Sequence, residues 1–252
     1  MNLYSFPPLI ISILFLSLGI FVHSKSKGKK KVILAFFLNC FVTFWWQFSW
    51  FMLFNTKNVN YASFLVKFGH LGIIFLAPTF FHFHSYFLNE VKYKIFVKCY
   101  YFLAIIFLFL LLFSNYLING FYSYFWGYYP KAGLLHPLFL IYIFTIVFHC
   151  LIILYLTGKN LKWKGVTSNQ IRFLILGFFV YSTASIDFLL NYGFEFYPTG
   201  CILIFICLLI EAYAIFKYRL LDIQVVITRF SIFVSVYSLV LGIPFAMAFG
   251  WR

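Results

Sequence analysis

Ionisable side chains inside apolar sequence are the natural places to look for chemistry, because burying them in lipid is costly and each must find a partner. Two carboxylates qualify: Asp187, in RFLILGFFVYSTASIDFLLNYG, and Glu211, in ILIFICLLIEAYAIF. Lys67 falls in the apolar run that also carries His70, His82 and His84. At 1.5 Å per helical residue, Asp187 lies about 6 Å and Lys67 about 9 Å from the same end of their helices. That spacing admits an ion pair; the alternative is that each reaches the headgroup layer alone. Glu211 lies about 7.5 Å, and His82 and His84 about 6–9 Å, from the opposite end. A Glu211–histidine contact there would respond to pH or report a helix shift, or it would be a static interhelical hydrogen bond.

Paired histidines on two helices can hold haem axially. His70 and His84 are 14 residues apart, and His136 and His149 are 13 apart. The two helices run the same way, yet the matching histidines differ by about 10 Å in depth, which sets haem aside. The last complete helix before the chain's terminal segment has no lysine for a retinal Schiff base. HExxH, GxSxG and phosphate-cradling glycine loops are absent from the sequence. The reading is therefore of no catalytic residue, no metal and no cofactor.

The elements that must position these residues follow from composition. The 252 residues are 64% hydrophobic and 10% charged, with five acidic side chains, too few to wet a soluble domain. A spanning helix needs about 20 apolar residues. Segments that qualify run over 3–22, 32–54, 61–88, 95–118, 134–157, 171–191, 197–216 and 230–249. The expected fold is all-α: a polytopic transmembrane bundle of seven helices plus an eighth, in contact with the lipid bilayer. The first segment does not read as a cleaved signal peptide, because its positive charge follows the apolar run.

The net charge of +14 raises the question of nucleic acid, but the basic residues stand in short clusters between apolar runs. Fifteen fall on one side, including Lys25, Lys27, Lys29–Lys31, Lys92, Lys94, Lys159, Lys162, Lys164, Lys217 and Arg219, against Lys57, Lys67, Lys131 and Arg252 on the other. This bias meets anionic headgroups, excludes a nucleic-acid partner, and puts the N-terminus outside. Trp45, Trp46 and Trp50, with Trp126, Tyr128, Tyr129 and Tyr197, are expected to form an outer aromatic belt. Cys40, Cys99, Cys150, Cys201 and Cys207 read as small buried hydrophobes.

Two connecting stretches stand out. The outer loop NGFYSYFWGYYPKAG, residues 119–133, is either the lip of a pocket for a small apolar ligand or a segment lying flat at the interface. AYAIFKYRLLDIQVVITR, residues 212–229, is either an amphipathic connector that passes helix motion onward or a plain link to the eighth segment.

These last stretches carry a resemblance. RFLILGFFVYSTASIDFLLNYGFEFYPTG followed by AYAIFKYRLLDIQVVITR resembles the N-terminal seven-helix region of many bacterial sensor histidine kinases, which also caps some diguanylate cyclases. Arg172, Asp187, Gly193, Tyr197, Pro198, Gly200, Tyr213, Tyr218, Arg219 and Asp222 are among the positions that carry it, with APTFFHF at 77–83 and WGYYPKAG at 126–133. The resemblance implies a sensory input module in the bacterial cytoplasmic membrane, non-catalytic in itself, working as a homodimer and joined to a kinase or cyclase output. Residues 1–229 would form the seven-helix region and connector. Residues 230–252 would be an eighth segment, with the chain truncated before the output. Trp126, Tyr129, Asp187, Tyr197 and Lys67 are the sensing candidates; His82, His84, Glu211, Tyr218, Arg219 and Asp222 are the transmission candidates. A small transporter or permease is the runner-up, for which Asn39, Thr43, Gln47, Thr145, Ser182 and Ser185 look few and scattered. A non-catalytic membrane scaffold is the third reading.

Overall fold

Apolar helices with polar breaks of a few residues fold back on one another, and the computed structural model, which describes residues 2–89 and 93–221, has this form. A single 3₁₀ turn, Leu3–Ser5, leads into α1 (Phe6–Lys25), whose first turn holds the prolines that such a position tolerates. There follow α2 (Lys30–Asn55), α3 (Val59–Leu88), α4 (Lys94–Phe113), α5 (His136–Asn160), α6 (Gly165–Thr183) and α7 (Gly200–Tyr218). Among the described residues, seven helices are long and apolar enough to span a membrane. The eighth expected segment and Asp222 lie outside the described residues.

α3 is the most buried helix and α4 the least. α3 packs on α2, α4 and α5, α1 packs on α2, and α7 closes the arrangement by meeting both α6 and α1. Close approach of α2 and α3 depends on small residues: a Cβ on Gly72 would stand 2.9 Å from the Val42 carbonyl oxygen. Phe102, Phe109 and Phe113 of α4, and Ile141 and Phe148 of α5, are exposed, as lipid-facing side chains must be.

Two features depart from uninterrupted helices joined by loops. Between α4 and α5 the chain forms an antiparallel hairpin, β1 (Ile118–Tyr124) and β2 (Gly127–Ala132), with Tyr122 opposite Tyr129 and Tyr124 opposite Gly127. Its aromatic residues favour a pleated, half-buried surface. The second departure is at the end of α6, where Ala184–Tyr192 continues as 3₁₀ helix for nine residues. Such runs seldom exceed about four residues and often mark hinges. With three residues per turn, Ala184, Asp187 and Leu190 fall on one face and are buried, while Ile186 and Leu189 are exposed.

The hairpin does not lie flat at the interface. It folds over one end of the bundle, with Trp126 wholly buried against Phe54, Tyr124, Tyr129 and Tyr197. Asn2 ties it down, its side chain donating to the Phe54 carbonyl at 2.9 Å and to the Trp126 carbonyl at 2.6 Å. The expected aromatic belt is corrected accordingly. Trp46, Trp50, Trp126 and Tyr129 are core residues: Tyr129 of the hairpin packs on both Trp50 and Trp126, and Trp46 packs on Trp50 and against Gly72 of α3. Cys99 is likewise exposed on α4, whereas the other four cysteines are buried and all five are free.

Candidate functional site

Beneath the hairpin, a cavity open on one side lies among α2, α3, α5, α6 and the 3₁₀ segment. Its floor and walls are mostly rings and aliphatic groups, and Tyr129 and Asp187 line it; Trp126, Tyr197 and Lys67 do not. Tyr129 is buried, and burial together with the neighbouring Asp187 pushes its phenol well above the ordinary value. Tyr197 shifts the same way, chiefly from burial, and its hydroxyl donates to the Tyr4 carbonyl at 3.0 Å.

Asp187 is held at the start of α7. The Gly200 N–H lies 3.1 Å from both carboxylate oxygens. The first N–H groups of a helix have no partner within it and carry partial positive charge, so a carboxylate there both satisfies them and complements the dipole. Glycine at position 200 is required by this fit: a Cβ would come within 2.9 Å of Asp187 Cγ and 3.1 Å of Ala184 Cβ. Lys67 takes another partner, donating from Nζ to the Ser114 carbonyl at 3.1 Å. The expected Lys67–Asp187 ion pair therefore does not form. Helix depth placed both near one end, but α7 presents a nearer and fixed positive pole to Asp187.

Further polar contacts gather around the same end. Tyr124 donates to the Leu190 carbonyl at 2.7 Å, and the Tyr129 hydroxyl lies 3.4 Å from the Asp187 carbonyl. His136 sits between Tyr192, at 2.9 Å from Nδ1, and Asn191, at 3.0 Å from Nε2. The 3₁₀ segment is thus held by hairpin, α5 and α7 together.

The opposite, lysine-rich half is built differently. Glu211 is buried on α7, its carboxyl against the Cys207 thiol and facing Gly177 of α6; its Oε2 has no hydrogen-bond partner. The expected contact with His82 or His84 does not form. His84 Nδ1 donates to the Phe80 carbonyl at 2.7 Å within its own helix, and His82 Nδ1 lies 3.2 Å from the Tyr101 hydroxyl of α4. Tyr218 and Arg219 mark where α7 stops. Arg219 is left-handed at φ 50°, and the Leu220 N–H returns to the Ala214 carbonyl at 3.4 Å. Gln170 of α6 donates to the Tyr218 carbonyl at 2.9 Å, Phe173 packs on both Tyr213 and Tyr218, and the Ser26 hydroxyl donates to the Leu221 carbonyl.

Several contributing residues escaped the sequence reading. Gln170 carried no signal there. Asn39, Thr43 and Gln47 looked scattered, yet their four-residue spacing aligns them on one face of α2. There they meet Thr79 of α3 at 3.3 Å, Tyr181 of α6 at 3.2 Å and Cys201 of α7 at 3.7 Å.

Compared with known proteins, residues 7–224 match the family model described as the N-terminal 7TM region of histidine kinase. No curated protein and no solved structure matches the chain. Seven apolar helices make the chain a multi-pass membrane protein in contact with the lipid bilayer. With a match over most of its length, the chain belongs to the N-terminal seven-transmembrane family of histidine kinases, a non-catalytic membrane sensory input module.

Proposed function

We propose that the chain senses a small molecule at the hairpin end and passes the signal along α7 to an output domain of kinase or cyclase type. Residues 1–229 act as sensor and connector, and 230–252 as an additional membrane segment. The setting is a bacterial cytoplasmic membrane with the hairpin outside, the lysine-rich ends inside, and two copies working as a homodimer. The observation that carries the reading is the position of Asp187, which lines the cavity and also holds the first turn of α7. A change in the cavity therefore acts on the helix that leads to residues 211–229, with Glu211, Tyr218, Arg219 and Asp222 along its path. The hinge is the 3₁₀ segment, where a shift between helical forms moves α7 against α6. His82 and His84 sit on α3 as a fixed reference, and Lys67, Trp126 and Tyr197 hold the hairpin end in shape.

The test is a distance measurement by electron spin resonance on the full chain in nanodiscs. Labels at Lys27→Cys and Lys217→Cys, in a Cys99→Ser background, report α7 against the start of α2. Gly200→Ala, which crowds Asp187 and Ala184 of the 3₁₀ segment at the far end, should shift the distance distribution. An unchanged distribution in a folded Gly200→Ala protein would remove the coupling and with it the input reading.

A further inference from the structure

The cavity combines an apolar body with polar atoms that lack partners. Trp46 Nε1, His70 Nε2 and Asn191 Oδ1 all belong to lining residues more than nine-tenths buried, and none has a hydrogen-bond partner. Leaving such groups dry and unpaired costs about 1–3 kcal/mol each, so a built site for a polar group is the economical account. Their chemistry can be assigned. The indole N–H of Trp46 is a donor only. His70 Nδ1 lies 2.8 Å from the Val66 carbonyl, which can only accept, so Nδ1 carries the proton and Nε2 of the neutral ring is an acceptor. Asn191 has its amide nitrogen on His136, which leaves Oδ1 as a second acceptor.

A matching head group must therefore both accept and donate. A hydroxyl does both, accepting from Trp46 and donating its single proton to His70 or Asn191, whereas an ammonium cannot accept and a carboxylate cannot donate. Charge counts further against a carboxylate, since Asp187 lines the cavity and no lysine or arginine does. Access is sideways. Phe144 and Val147 of α5, with Ser182, Ser185 and Phe188 of the α6–3₁₀ stretch, are the lining residues there that keep exposure, and they lie within membrane-spanning segments.

We infer that the cavity binds a neutral, membrane-partitioned alcohol that enters from the bilayer between α5 and α6, its hydroxyl placed among Trp46, His70 and Asn191 and its apolar body along the rings. The inference deepens the sensory reading by naming the ligand class, but its test reads occupancy alone.

The full chain in phosphatidylcholine nanodiscs is titrated with undecanol brominated at its second carbon, next to the hydroxyl, whose bromine quenches tryptophan on contact. Quenching should saturate and be reversed by unbrominated undecanol, while the matching bromo-carboxylate and bromo-amine should quench linearly, as bilayer solutes do. His70→Leu should raise the half-saturating mole fraction about tenfold, the loss of one hydrogen bond. Ser185→Phe, at the open side, should abolish saturation even if His70→Leu fails to fold. Linear quenching by the alcohol, tighter saturation by the amine or carboxylate, or an unchanged midpoint in a folded His70→Leu protein would overturn the assignment. If saturation is seen while the spin-label distance stays fixed, the site stands and the signalling reading falls.

Discussion

The two buried carboxylates, Asp187 in the 3₁₀ segment and Glu211 on α7, sit in regions built on opposite plans. Around Asp187, hairpin, 3₁₀ segment and helix start converge, and both carboxylate oxygens meet the Gly200 N–H. Around Glu211, two plain helices face each other across Gly177, and one carboxylate oxygen meets nothing. A carboxylate at a helix start satisfies groups that would otherwise be orphaned, so it adds stability. A carboxylate in the middle of a helix, where the backbone is already paired, only adds a group that needs a partner. The hairpin end therefore grips the start of α7 through Asp187, whereas the stretch around Glu211 has no such hold on the helix.

The contrast can be broken by substitution, read as unfolding free energy in detergent micelles. The largest effect belongs to Trp126→Ala, which empties a fully buried ring site under the hairpin and should cost about 3–5 kcal/mol. Asp187→Ala should cost about 2–3 kcal/mol by leaving the α7 start unpaired, with Asp187→Asn recovering part of that through its remaining acceptor. Glu211→Leu should do the reverse, leaving stability unchanged or raising it by about 1 kcal/mol. A loss of equal size at both carboxylates would erase the distinction. Gln170→Leu should cost about 1 kcal/mol, one hydrogen bond to the Tyr218 carbonyl.

The smallest effect is on pH dependence. Burial raises the phenol values of Tyr124, Tyr129 and Tyr197 in the folded chain. Below about pH 10 these phenols are neutral in folded and unfolded chains alike, so they give no slope. Above it the unfolded chain loses protons first and stability falls as pH rises. Tyr129→Phe should remove part of that fall and leave the neutral range untouched.

Much of this arrangement was legible in the order of residues. The seven described helices and their approximate bounds follow from apolar runs, because lipid imposes one length on every span. Asp187 and Glu211 were visible as the charged exceptions. Their partners were not, since depth along a helix says nothing of rotation about it: Asp187 turned toward Gly200 rather than Lys67, and His84 satisfied itself on Phe80. The hairpin was seen as an aromatic loop, but its fold over Trp126 depends on Asn2 and Phe54, 124 and 72 residues away in sequence. The 3₁₀ segment had a readable sign in the three-residue spacing of Ala184, Asp187 and Leu190, which an assumed period of 3.6 conceals.

The central claim is that filling the cavity moves α7. The direct measurement is the distance between labels at Lys27→Cys and Lys217→Cys in nanodiscs, taken without bromo-undecanol and at the mole fraction where tryptophan quenching has saturated. The account predicts a shifted distance distribution, lost in Ser185→Phe, where the cavity is blocked. A distribution identical with and without saturating alcohol would contradict it.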